Sequence, residues 1–353
     1  MTTTVHQLTP TFHSYDALGQ HTKEVHHLTR ELGCRSYIWS LEKRRSKPAR
    51  DANRLRIKNS NETLVIYQAA TGSPLLKKVI DSDAELVVNY HNMTPSRYFD
   101  QWSLPLAAEL RRGRRQLVEL SDRATLAITD SEYNAADLRS LGFSNVEVIP
   151  VLFRLGKAER NKNVVIKRSG SQWLFVGRIV PNKAHHDLIA SFAAYREFHD
   201  PQARLVIIGR GLASYEKAIQ ELIYELRLND FVKLVGLVSE EEKRKYFASS
   251  DVYVSLSEHE GFGVPLIEAM HYGLPVVAYE AAAVKETMAG NGLLLDSKKP
   301  TEVAAVVHEV LQDQQMLNYL VNNGYQRAEE MSLEANTEAY KRVLSPLISA
   351  QST

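Results

Sequence analysis

The chain has 353 residues, of which 44% are hydrophobic and 24% charged, with a formal net charge of +1 at pH 7. That length exceeds what one hydrophobic core usually serves, so two domains are expected, and the composition excludes a disordered chain. The near-zero charge singles out no class of partner. Cys34 is the only cysteine, which excludes an internal disulfide and a cysteine-based zinc site and suits a reducing compartment. The opening residues, MTTTVHQLTPTFHSYD, have no basic stretch followed by an apolar run, and no segment approaches about 18 unbroken apolar residues, so neither a secretory leader nor a membrane span is expected.

In chain order, the first half offers candidate strands VHQLT, RSYIWS, TLVIYQ, ELVVNYH, TLAITD and VEVIPV, with helices between them. Two of those helices, TKEVHHLTRELG and EYNAADLRSLG, end at Gly33 and Gly142, where a C-terminal cap belongs. Residues 154–171 are charged and lack apolar periodicity, so the domain boundary is placed there. From residue 172 short β-branched runs alternate with amphipathic stretches: WLFVG, AHHDLIASFAAYREF, RLVIIG, SYEKAIQELIYELRL, VKLVGLV, EEEKRKYFASS, VYVSLS, VPLIEAMHYG, PVVAY, AVKETMAG, GLLL and TEVAAVVHEVLQ. This rhythm predicts a doubly wound parallel sheet. Ser239 with Glu242 forms a capping-box pattern, and Pro265 suits the start of a helix that Gly273 would end. The expected division is residues 1–160, residues 171–330, and a closing helix over 331–353 that crosses back to the N-terminal domain.

The stretch EHEGFGVPLIE, residues 258–268, raises an electrostatic question. It follows a strand and opens a helix, so the backbone N–H groups around Gly261, Phe262, Gly263 and Val264 suit an anion, yet Glu260 and Glu268 put a carboxylate on either side. Arg178 and Lys183 in LFVGRIVPNK, also at a strand end, would supply compensating charge. Phosphate on the helix N-terminus, with hydroxyl groups for the two carboxylates, describes a nucleotide sugar. His91 ends the strand ELVVNYH; a strand-end histidine is either a site residue or a hydrogen-bonded packing residue.

The segment from Trp173 to about Asp313 resembles the C-terminal domain of retaining GT-B glycosyltransferases of family 4, on the Glu260–Glu268 spacing in EGFGVPLIEAM and on GRIVPNK. The resemblance implies an α/β fold of GT-B architecture, with two Rossmann-like doubly wound domains facing across a cleft that holds the site. It implies that Glu260 contacts donor-sugar hydroxyls, Glu268 the ribose, the Phe262 and Gly263 amides the sugar or phosphate, and Leu237 and Val238 the base. DALGQHTKEVHHLTRELG resembles the family's first loop and helix, with Gly19 near the donor phosphate, and His91 would lie near the reaction centre. The implied activity is metal-independent, retaining transfer of a hexosyl group to a sugar or lipid-linked acceptor, without a cofactor. A nucleotide-sugar epimerase of the same fold and a non-catalytic partner subunit are the alternatives.

Two basic stretches, residues 43–58 and 111–115, are either solvated surface or an attraction to an anionic membrane surface or a phosphate-bearing lipid-linked acceptor; membrane contact would make the protein cytoplasmic and peripheral at the inner face. Nucleic acid is not expected, since no aromatic residues interleave the charges. Asp81-Ser82-Asp83 has a metal-binding form, but it precedes the strand ELVVNYH and so is expected at the end opposite the ligand edge.

Overall fold

The alternating runs of the sequence fold as alternating strands and helices in a computed structural model of the chain, which describes residues 2–13, 16–42, 47–57, 62–158 and 170–350. The chain forms two compact units. Unit 1 is Met1–Arg97, Leu104–Arg154 and Ser332–Thr353; unit 2 is Tyr98–Ser103 and Leu155–Met331. Most of the boundary segment placed at 154–171 lies outside the described residues.

Unit 1 carries strands β1 (Thr4–Thr9), β2 (Arg35–Ser40), β3 (Arg50–Asp51), β4 (Thr63–Ala69), β5 (Glu85–Tyr90), β6 (Leu126–Thr129) and β7 (Val146–Val148), in the spatial order β3-β2-β1-β4-β5-β6-β7. Every pairing is parallel. Its helices α1 (Ala17–Glu31), α2 (Leu75–Ile80), α3 (Leu104–Ser121) and α4 (Glu132–Ser140) fill the crossovers. A parallel sheet covered on both faces needs apolar residues at successive positions, and β4, TLVIYQA, is buried throughout. Its side chains alternate: Val65 and Tyr67 join Leu75 and Leu117 on one face, while Leu64 and Ile66 join Val25 and Leu28 on the other. The short strand β3 lies inside the basic stretch, where charge density hid it from the periodicity.

Unit 2 carries β8 (Gln172–Val176), β9 (Arg204–Ile208), β10 (Val232–Gly236), β11 (Val252–Ser255), β12 (Val276–Tyr279) and β13 (Leu293–Leu295), in the order β10-β9-β8-β11-β12-β13, again all parallel. Its helices are α5 (His185–Phe198), α6 (Ala213–Glu225), α7 (Glu240–Ser249), α8 (Val264–His271), α9 (Val284–Met288), α10 (Pro300–Gln312) and α11 (Gln314–Glu330). Trp173, Phe175 and Phe192 anchor the core. The capping box at Ser239 and Glu242 forms as the sequence predicts. The last helix, α12 (Leu333–Ala350), returns to unit 1, where Tyr340, Leu344 and Ile348 pack with Val5 and Leu64.

Both sheets wind outward in opposite directions from one central pair of strands, β1 with β4 and β8 with β11. At such a switch point the loops leaving adjacent strands diverge and open a crevice at the carboxyl edge. No described helix is long and apolar enough to cross a membrane.

Candidate functional site

In unit 2 the two segments singled out in the sequence leave the two switch strands. Arg178 and Lys183 follow β8, and Glu258 to Gly263 follow β11. The helices that come next, α5 and α8, both start without a side-chain cap. Gly263 opens α8 at φ +96, a left-handed conformation that a side chain would resist. The turn leaves the positive end of the α8 dipole without a carboxylate of its own at the cap position.

The two loops are fastened together. The Glu258 N–H donates to the Asn182 carbonyl at 2.8 Å, and the Asn182 amide donates to the His259 carbonyl at 3.1 Å. From the other side the Ala283 N–H donates to the Glu260 carbonyl at 3.2 Å, and the Thr287 hydroxyl to the Phe262 carbonyl at 2.5 Å. The acidic loop is thereby held at four backbone points.

The three glutamates of EHEGFGVPLIE each meet a lysine from a different element. Lys183 Nζ lies 2.5 Å from Glu260 Oε2, with the side chains 19% and 14% exposed. Lys243, on α7, lies 2.7 Å from Glu268 Oε1, with side chains 13% and 11% exposed, and 2.9 Å from Glu240. Lys298, after β13, lies 2.5 Å from both Glu258 and Asp187. Burial pushes the Glu268 carboxyl above its usual range, and Lys243 opposes the rise. Burial would lower the Lys243 ammonium, but Glu268 and Glu240 outweigh it and raise its pKa. Removing one partner of such a buried pair costs on the order of 3–5 kcal/mol. The carboxylates flanking the α8 N-terminus therefore bring their own counter-charges and need not repel an anion placed there.

The remaining cation, Arg178, is exposed and forms no ion pair among the described residues. By sequence Arg178 and Lys183 are equivalent cations; the structure distinguishes a paired lysine from an arginine without an ion pair among the described residues. Leu237, 60% exposed, and the half-buried Val238 follow β10, two strands from β8. Between them, after β9, stands the exposed Arg210, whose Nε lies 3.2 Å from the point where a Cβ on Gly236 would sit. Arg210 was missed, although RLVIIGR repeats the strand-Gly-Arg pattern of LFVGR. Lys243 and Lys298 left no signal, because their partners lie 25 and 40 residues away.

In unit 1 His91 follows β5 and is nearly buried, its side chain 8% exposed. Nδ1 lies 3.2 Å from Asp130 Oδ2 and Nε2 lies 2.7 Å from Gln68 Oε1. Gln68 donates in turn to Gln7 Oε1 at 2.9 Å, so β1, β4, β5 and β6 each bring one polar side chain to this chain of contacts near their carboxyl ends. Asp130 Oδ1 has no hydrogen-bond partner among the described residues. The His21 ring packs edge-on to His91 at 4.7 Å, and burial, followed by the neighbouring His91, lowers its pKa well below the usual histidine range. The Leu152 N–H donates to His21 Nδ1 at 3.0 Å, which puts the remaining ring proton of neutral His21 on Nε2.

Gly19 lies in the first turn of α1, where its N–H donates to Asp16 Oδ1 at 2.7 Å. A Cβ there would lie 1.7 Å from the His13 carbonyl oxygen, so loop packing alone demands glycine. Asp81 ends α2 beside Lys77 at 2.8 Å and precedes β5, at the amino edge of the sheet. Among the arginines of 111–115, Arg114 turns to Asp137 with both guanidinium nitrogens, while Arg111, Arg112 and Arg115 are exposed. Lys43, Arg44, Arg45 and Lys58 of the other basic stretch lie outside the described residues.

Two parallel sheets in this order define a GT-B architecture. HepE of Anabaena, solved with UDP and glucose, matches 98% of this chain over 100% of its own length, with a TM-score of 0.73 and 17% identity. Residues 157–327 match the model of the family described as glycosyl transferases group 1. Among curated relatives, an uncharacterized glycosyltransferase of Methanocaldococcus jannaschii is 31% identical over 169 residues, which is 47% of this chain and 42% of that protein. A D-inositol 3-phosphate glycosyltransferase of Kineococcus radiotolerans is 26% identical over 292 residues, 74% of this chain and 67% of that protein. The matched segments thus span 42% and 67% of the length of these two relatives.

Proposed function

We propose that this chain is a retaining hexosyltransferase that uses a nucleotide diphosphate sugar and serves glycan, polysaccharide or glycolipid synthesis. The observation that carries the reading is the Lys183–Glu260 pair at the switch point of unit 2, beside the uncapped start of α8. HepE was solved with UDP and glucose, and the named relatives are glycosyltransferases, which supports the same ligand class here.

In this reading the diphosphate lies on the backbone N–H groups of Phe262, Gly263 and Val264, with Arg178 as its side-chain cation. Lys183 shares its charge between Glu260 and the phosphate. Glu260 accepts from donor-sugar hydroxyls, Glu268 from the ribose, and Leu237 with Val238 flanks the base. The bond from C1 to the leaving phosphate oxygen breaks while the acceptor oxygen bonds to C1 on the same face. The acceptor proton passes to the leaving diphosphate, so no protein nucleophile and no metal is required. His91, oriented by Gln68 and Asp130, is assigned to the transferred sugar.

The reading extends to an anionic membrane surface. Arg111, Arg112 and Arg115 share the exposed side of α3 with Leu104, 67% exposed, and Val118, 50% exposed. Such a mixture suits the headgroup region, where each basic residue contributes about 1 kcal/mol.

The test is nucleotide release from a panel of nucleotide sugars with and without sugar and lipid-linked acceptors. Release that depends on acceptor supports transfer. Epimer interconversion without acceptor would instead make the chain an isomerase, and binding without either reaction would make it a partner subunit.

A further inference from the structure

The inward face of α7 holds Lys243, Tyr246 and Phe247, the i, i+3, i+4 set that an amphipathic helix turns toward its core. A lysine is the odd member of that set. Its neighbours Glu241, Glu242, Arg244 and Lys245 are exposed, whereas its own side chain is 13% exposed and reaches Glu268 Oε1 at 2.7 Å. Stability alone gives no reason for the arrangement, because apolar replacements of a buried ion pair are often neutral or stabilising. Glu268 Oε2 accepts no hydrogen bond among the described residues, so the pair fixes one oxygen and leaves the other as an open acceptor.

We propose that Lys243 is a positioning residue for ribose recognition: by holding Glu268 Oε1 it keeps the carboxylate ionised and its second oxygen ready for the ribose hydroxyls of a nucleoside diphosphate. The inference rests on the donor reading above and adds a residue to it. The charged and titratable groups facing Glu268 are Lys243 and Glu240 from α7, Tyr253 from β11, and Tyr272 on its own helix. Lys243 is the one cation among them. Without it, burial and Glu240 both favour the protonated carboxyl, which is a weaker acceptor for the hydroxyls than the carboxylate.

The experiment compares UDP, GDP and ADP with their 2′,3′-dideoxy forms by calorimetry between pH 6 and 8.5. The affinity ratio of ribo to dideoxy form isolates the ribose contact, because phosphate ionisation affects both ligands alike. The wild type should prefer a ribo form by about tenfold or more. Lys243→Met should lose most of that preference and lose more of it as pH falls, while binding the dideoxy form unchanged, which also certifies its fold. Lys243→Arg should restore the preference, and adding Lys243→Met to Glu268→Gln should change nothing further. An unchanged ratio in Lys243→Met at every pH, or equal loss of both forms, overturns the assignment of Lys243. Failure of the wild type to bind any of the three diphosphates overturns the donor reading and this inference with it.

Discussion

Lys183 Nζ and Glu260 Oε2 lie 2.5 Å apart although the residues are carried by loops leaving two different strands, β8 and β11. The contact exists because those strands are neighbours at the switch point, where both loops rise from the same edge. It removes the apparent conflict of acids beside the proposed anion site, since the lysine pairs with the glutamate before any ligand arrives. It also predicts coupling. Lys183→Ala and Glu260→Gln should each lower turnover by roughly 10²-fold, and the double variant should lose much less than the product of the two, as contacting residues do. Strictly multiplicative losses in kcat would show that the two side chains act separately.

Arg178 lacks the restraint that Lys183 has, so its effect should appear in the diphosphate itself. Arg178→Ala is expected to weaken nucleoside diphosphate binding and to steepen less with salt than the wild type, because one phosphate contact is gone. Calorimetry at two ionic strengths checks this; identical salt dependence in both proteins would remove Arg178 from the phosphate.

Glu268→Gln should raise the donor KM with a smaller effect on kcat, since the ribose is remote from the breaking bond. A turnover defect at saturating donor, with unchanged affinity, would assign Glu268 to the reaction centre instead.

Four buried histidines, His6, His21, His26 and His185, weaken folding in acid. Burial, with Arg50 adding, lowers His6 to about 4; burial, with His27 and nearby arginines adding, lowers His26 to about 4; and burial, with Lys183 adding, lowers His185 to about 3. Their folded pKa values lie below the ordinary 6.5, so between about pH 6.5 and pH 4 the unfolded chain binds more protons and stability falls as pH falls. Urea unfolding at pH 7.5, 6 and 5 should show a midpoint that declines progressively below pH 6.5. A midpoint that holds level to pH 5 would mean these rings are protonated in the folded protein.

Asp81 and Asp83 sit at the amino edge of the unit 1 sheet, and Asp81 is already paired with Lys77. Transfer should therefore persist in excess chelator, and Asp81→Asn with Asp83→Asn should leave donor affinity unchanged. Loss of transfer on chelation with recovery on added magnesium or manganese would require a metal in the account.

Vesicle sedimentation tests the exposed face of α3. Binding to anionic but not neutral lipid, fading above about 0.15 M salt and reduced by Arg111→Ala, Arg112→Ala and Arg115→Ala together, is expected. Equal binding to both lipids would return these arginines to solvated surface.

The fold class was legible because it is written in local signals: the buried runs of β4 and β8, the capping box at Ser239, and the glycines that follow α1 and α4. The motif residues Arg178, Lys183, Glu260 and Glu268 were legible by spacing, and their neighbourhood follows from the strand order. What remained hidden is tertiary. The partners of Glu268 and Glu258 come from α7 and from the loop after β13, and no helical or strand periodicity reports a contact between elements 25 or 40 residues apart. Likewise the Gln68 and Asp130 contacts of His91 join three separate strand ends, and Gly19 shows its need for glycine only against the His13 carbonyl.

We read the switch point of unit 2 as a nucleoside diphosphate site built on Arg178, the Lys183–Glu260 pair and the start of α8. Calorimetric titration of the full chain with UDP, GDP and ADP, in chelator, tests it most directly. Saturable binding of at least one diphosphate, weakened at least about tenfold in Arg178→Ala, is the predicted result. Binding of none of them, or equal binding to wild type and Arg178→Ala, would contradict it.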